Sequence, residues 1–194
     1  VYTAKMVADL DYLSGGRVDF GVGIGWLKEE FDSLGMDFST RASRTEEYIM
    51  VMRALWSEGI SEFSGKTVEL APCHFNPKPV QKPHPPIIFG GESDPALRRV
   101  ARMGDGWYGY DLTPEALVER LPGLDAALAA SGRSRQDIQL IVGPNRHPVN
   151  PETIAAYAAA GTDQLVVPVF AGSIEKLASR LDLLMSSAAR LKDN

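Results

Sequence analysis

Chemistry in this chain concentrates at a few glycine-bearing turns. Gly21-Val22-Gly23-Ile24-Gly25-Trp26 closes one apolar segment and Phe89-Gly90-Gly91-Glu92-Ser93-Asp94-Pro95 closes another. A dinucleotide fingerprint needs glycine at its first, third and sixth positions, and Trp26 stands at the sixth, so that route is rejected. Two readings of the first turn stay open: a tight strand-to-helix turn, or close backbone approach to a flat ligand through Gly23, Ile24, Gly25 and Trp26. The second turn runs directly into a helix start. Free N–H groups and partial positive charge there suit a phosphate, with Gly90 and Gly91 admitting the backbone and Ser93 adding a hydroxyl. The alternative is a capped loop with nothing bound. Tyr110 and Asp111 follow a third short strand and would share the rim with these turns. His147 follows a fourth, in Gly143-Pro144-Asn145-Arg146-His147, as a candidate for substrate contact or proton transfer. Trp26 and His147 are the weak catalytic candidates.

Other chemistries lack their residues. There is one cysteine, Cys73, which excludes an intrachain disulfide and a cysteine-based zinc site. His74 and His84 lie in a proline-rich stretch and read as packed or exposed rather than metal-binding. No Ser–His–Asp order and no P-loop is present. The net charge is −5, against the basic balance of a nucleic-acid binder. No apolar run reaches the ~18 residues of a membrane span. A soluble cytoplasmic protein acting on a small molecule is the expectation, with no metal.

The elements that must hold these turns alternate strand and helix. Residues 2–13 read as a helix ended by Gly15-Gly16, followed by a strand at 17–22. Further short strands are read at 86–89, 106–109, 138–142 and 164–168, apolar without alternation, as in parallel sheets covered on both faces. Helices follow at about 93–104, 113–131, 150–160 and 173–191. Three of these starts pair a capping residue with proline: Asp94-Pro95, Thr113-Pro114 and Asn150-Pro151. Between the first two strands come a short helix at 26–34 and a longer one opened by a capping box, Ser43 to Glu46, and running to Trp56. Ile49, Met52, Leu55 and Trp56 are its expected buried side. Arg41, Arg44, Glu46 and Glu47 read as a surface or interface ion-pair cluster. A hairpin at 62–70 and six prolines between Pro72 and Pro86 form an insertion at about 60–85 of a single domain, 1–194.

Taken together, these segments resemble the bacterial luciferase-like family of flavin and deazaflavin oxidoreductases. The resemblance rests on Leu13 to Arg17, Gly21 to Trp26 with Glu29-Glu30-Phe31, Arg41 to Glu47, Asn76 to Pro86, Phe89 to Gly91, and Ala96 to Trp107. Its style is that of the coenzyme F-420 branch. The resemblance implies a (β/α)8 TIM barrel, a planar cofactor across the C-terminal strand ends, and hydride transfer to or from an unknown small organic substrate. It implies that Gly90, Gly91, Glu92 and Ser93 form one side of a phosphate cradle and Tyr110 and Asp111 the other. Gly23, Ile24, Gly25 and Trp26 would flank cofactor or substrate. An FMNH2-dependent monooxygenase using FMN is the alternative, and a non-catalytic flavin-binding relative the second. A homodimer is expected. Trp26 occupies the place of an acidic proton donor in one F-420-dependent dehydrogenase branch, which sets this chain apart from that route. Five strands fall short of a barrel of ~250 residues. The expectation is an incomplete barrel holding about strands four to eight, in a chain that starts at Val1, inside a longer protein.

Overall fold

The computed structural model describes residues 1–189. The chain divides into two compact units, Val1–Ile87 and the residues from Ile88 onward.

The first unit opens with α1 (Tyr2–Ser14), which ends at Gly15 in the left-handed region (φ 69). Glycine takes that conformation without a Cβ penalty, so the predicted stop holds. The buried face is not the large apolar one: Ala4, Val7, Ala8 and Asp11 are inside, while Met6, Leu10 and Leu13 are exposed. Asp11 explains this. Its carboxylate accepts from Gln81 N at 2.9 Å and from Gln81 Nε2 at 2.8 Å, which ties that face to the proline-rich stretch. Strand β1 (Phe20–Val22) is shorter than read, because Arg17 stays with the helix end, donating through Nε to Ser14 O at 2.8 Å. The Phe20 amide donates to Pro86 O at 2.7 Å.

Helix α2 (Lys28–Ser33) and a 3-10 turn at Phe38–Thr40 lead into α3 (Arg41–Trp56). The capping box does not form: α3 starts at Arg41, and Ser43 Oγ, already inside it, donates to Thr40 O at 3.1 Å. Ile49, Val51, Leu55 and Trp56 are buried, Met52 only partly, and the Trp56 indole donates to Ala4 O at 3.0 Å. The antiparallel hairpin of β2 (Ser61–Ser64) and β3 (Glu69–Cys73) sets Phe63 opposite Leu70. The proline-rich segment after it carries no regular element, and Lys78 Nζ holds it to Leu55 O at 2.8 Å. His84 is half-buried with its ring 6.1 Å from that of Trp56, and His74 is exposed.

The second unit is a parallel α/β arrangement. Strands β4 (Ile87–Gly90), β5 (Gly106–Tyr110), β6 (Gln139–Gly143) and β7 (Gln164–Leu165) lie side by side in that order. Helices α4 (Asp94–Met103), α5 (Pro114–Ala130) and α6 (Pro151–Ala159) make the crossovers that parallel strands require. Helix α7 (Ile174–Ala189) follows β7; positions 190 and 191 of its predicted range lie outside the described residues. The core stacks Phe89, Trp107, Leu140 and Val142 against Leu97, Val100, Leu117, Leu124, Leu128 and Tyr157. The sheet is open, so among the described residues no TIM barrel is closed. β7 pairs over two residues where five were read, with one further bond from Val166 N to Val142 O at 2.9 Å. Two of the three cap-proline starts are as read: Thr113 accepts from Ala116 N and Asn150 from Thr153 N. At α4 the cap is Ser93, accepting from Ala96 N, and Asp94 is already helical.

Candidate functional site

The C-terminal ends of β4, β5 and β6 carry one connected group of loops. Gly91 adopts φ 112, and a Cβ there would lie 3.0 Å from Ala96 Cβ, so this loop needs glycine on both counts. Its carbonyl is pinned: the fully buried Trp107 donates Nε1–H to Gly91 O at 3.0 Å. Glu92 accepts from Tyr110 N at 2.7 Å, joining the loop after β4 to the end of β5. Asp94 accepts from Arg120 Nη2 at 2.8 Å, and that hydrogen bond holds its carboxyl below the usual range.

Tyr110 is exposed, and Asp111 after it sits at φ 56, a left-handed conformation that aspartate tolerates better than most residues. The Asp111 carboxylate is 5% exposed. It accepts from Arg146 N at 2.9 Å and pairs with the Arg146 guanidinium. Those bonds to Arg146 push the Asp111 carboxyl down and the Arg146 guanidinium up. Asp111 N donates to Gly143 O at 2.6 Å, and His147 Nε2 lies 3.1 Å from Asp111 O. Gly143 is required as well, since a Cβ would run into the Tyr108 hydroxyl.

Gly90, Gly91, Glu92, Ser93, Tyr110 and Asp111, all read from sequence as one cradle, therefore stand on interlocked loops of one unit. Asp111 and Glu92 are turned to protein partners, and Arg146, 83% exposed, is a reachable cation. Sequence reasoning missed Arg146 and the Trp107 pin. His147 lines a cavity of about 430 Å³ with Asn145, Pro148, Phe170, Arg180 and Leu184.

In the first unit, Gly23, Ile24 and Gly25 line a cavity of about 320 Å³. Gly25 is at φ 80, and a Cβ there would stand 2.8 Å from the Phe31 ring; beside Gly23 nothing lies within 4 Å of that position. Trp26 is 82% exposed and does not line this cavity. The expected surface ion-pair cluster is not formed by Arg44 and Glu47, both of which are buried. Glu47 instead accepts from the amides of Lys66, Thr67 and Val68 at 2.9, 2.7 and 3.1 Å. The hairpin connection needs an acceptor for those donors, and the Thr67 bond first among them lowers the Glu47 carboxyl. Among the described residues no His, Cys, Asp and Glu group could hold a metal, and no helix is long and apolar enough to cross a membrane.

A parallel sheet with crossover helices and its loops gathered at the strand ends makes this an α/β fold. The chain belongs to the luciferase-like monooxygenase family, whose pattern residues 1–160 match. An uncharacterized protein of Mycobacterium tuberculosis is 34% identical over 188 residues, which are 92% of this chain and 64% of that protein. The chain thus spans under two thirds of such relatives. The FMNH2-dependent dimethylsulfone monooxygenase of Pseudomonas putida is 31% identical over 134 residues, 68% of this chain and 37% of that enzyme. In fold, the coenzyme F-420-dependent tetrahydromethanopterin reductase of Methanopyrus kandleri superposes with a TM-score of 0.74 at 18% identity, over 91% of this chain and 75% of that one.

Proposed function

We propose that this chain binds the phosphate-bearing portion of coenzyme F-420 and serves hydride transfer between that deazaflavin and a small organic substrate. One observation carries the reading: the loops after β4, β5 and β6 present glycine backbone and an exposed arginine while each carboxylate among them is engaged. Glu92 is held by the Tyr110 amide, Asp94 by Arg120 and Asp111 by Arg146. Two of those three negative charges are offset by arginines. The donor set therefore fits a phosphate, which meets no unengaged carboxylate here.

Gly90 and Gly91 admit the anion, Ser93 offers its hydroxyl proton, and Arg146 supplies the charge-assisted bonds. The deazaflavin, when bound, supplies the hydride chemistry through a ring carbon. His147, held by Nε2 against Asp111 O, keeps its other nitrogen for proton exchange with a substrate. The fold likeness to the F-420-dependent reductase supports this cofactor. The sequence likeness to the dimethylsulfone monooxygenase favours a second reading, an FMNH2-dependent monooxygenase on the same loops.

Titration of the purified chain with F-420 and with FMN, followed by cofactor fluorescence, separates the two. Saturable F-420 binding weakened by Arg146→Ala is the expected result. Tight FMN binding without F-420 binding would favour the monooxygenase, and binding of neither would overturn both readings.

A further inference from the structure

We propose that the first unit's cavity beside Gly23 is a recognition pocket for a small organic acid: one carboxylate, or another singly charged oxyanion, on a flat apolar body. This does not rest on the cofactor reading, which concerns the second unit.

The argument begins with two arginines one helical turn apart at the start of α3. Both line the cavity. Arg44 is only 8% exposed, and the acceptors it meets are neutral: Thr40 Oγ1 at 3.0 Å and Asp37 O at 3.2 Å. Arg41 donates to Phe38 O at 3.0 Å, and its guanidinium carbon lies 3.9 Å from the centre of the Phe38 ring. Its Nε is buried with no acceptor. Arg44 has a counter-charge in the Asp37 carboxylate, whose titration it helps to lower, whereas Arg41 meets only a carbonyl and a ring. The Asp37 carboxylate, next in sequence to the turn, is engaged by Ser39 N and Ser39 Oγ at 2.8 Å.

Withdrawing a guanidinium from water without a counter-charge is costly, and such groups are normally paired. A buried donor left without an acceptor calls for a bound partner. Asp37 answers Arg44 and Glu30 on the cavity is exposed, so the unmet demand is for one acceptor at Arg41, which one negative charge meets. The remaining walls choose the body of the ligand. Phe31, Leu34, Met36 and Tyr48 supply apolar surface. The open side of Gly23 admits a flat group close to the backbone. At about 320 Å³ the cavity stands at the small end of the ~300–1,000 Å³ usual for ligand sites.

Benzoate tests this, with benzamide as its neutral isostere, by calorimetry and by amide NMR shifts of the whole chain. Benzoate should bind with one-to-one stoichiometry and shift Gly23 and Gly25, and benzamide should bind about tenfold more weakly or worse. Arg41→Gln should weaken benzoate by about tenfold and Arg41→Lys by less, since the charge survives but the planar fork does not. Glu30→Gln, at an exposed position where folding is safe, should tighten benzoate severalfold. Absence of benzoate binding, equal binding of benzamide, or an affinity untouched by Glu30→Gln would overturn the proposal, whether or not the Arg41 variants fold.

Discussion

Carboxylates do different work in the two units. In the first, Asp11 and Glu47 are buried acceptors for other segments: Asp11 holds Gln81, and Glu47 holds the three amides of the hairpin connection. In the second, Asp94 and Asp111 each hold an arginine, and Glu92 holds the amide of Tyr110. Backbone donors fix loops that only need to stay in place. Arginines leave a cation at the strand ends, where a parallel sheet gathers its ligand contacts. The buried side chains of Glu47 and Asp111 can be told apart by what they hold: Glu47 holds only backbone amides, and Asp111 holds an exposed arginine.

The sharpest way to break this comparison is at Trp107, which belongs to both categories. Trp107→Ala should destabilise by about 3–5 kcal/mol, read from urea unfolding, because a buried indole is lost from the sheet. Trp107→Phe should cost about 1 kcal/mol through the lost bond to Gly91 O, and should lower F-420 affinity by loosening that loop. Next in size, Glu47→Ala should lower the melting temperature clearly while leaving the F-420 affinity of the folded protein unchanged. Arg146→Ala should reduce affinity about tenfold and lower the melting temperature less than Glu47→Ala does, because the Arg146 N bond to Asp111 survives. An Arg146→Ala protein that melts early but binds normally would erase the distinction between the two kinds of latch.

The smallest effect is the acid response. Glu47 and Asp111 both titrate below their ordinary values when folded. Each therefore contributes stability that is present above about pH 4 and is lost as pH falls through the lowered folded value. Thermal melts from neutral pH down to pH 3 should show stability falling at the acid end. Glu47→Gln should flatten that fall, and Asp111→Asn should flatten it less if salt screens the exposed arginine.

What was legible in the sequence was what neighbours in the chain decide. The glycine stop after α1, the caps at Thr113 and Asn150, and the order of short parallel strands all depend on residues within a turn of one another. Ser93 and Asp94 show the limit even there, since both are good caps and the backbone angles choose Ser93. The buried face of α1 was not legible, because Asp11 answers to Gln81, 70 residues on. The glycines, Tyr110 and Asp111 stood out by type and place. Arg146 did not, because its partner lies 35 residues away and nothing in the intervening sequence marks the pair. Glu47 looked like one more helical surface acid until the hairpin supplied three donors.

The three tryptophans divide sharply, with Trp56 and Trp107 enclosed and Trp26 standing in solvent directly after the glycine turn. Collisional quenchers such as iodide or acrylamide reach only the last. The quenchable, red-shifted part of the intrinsic emission is therefore a built-in optical reporter for the segment around Gly23 and Gly25, readable without a label or an added mutation.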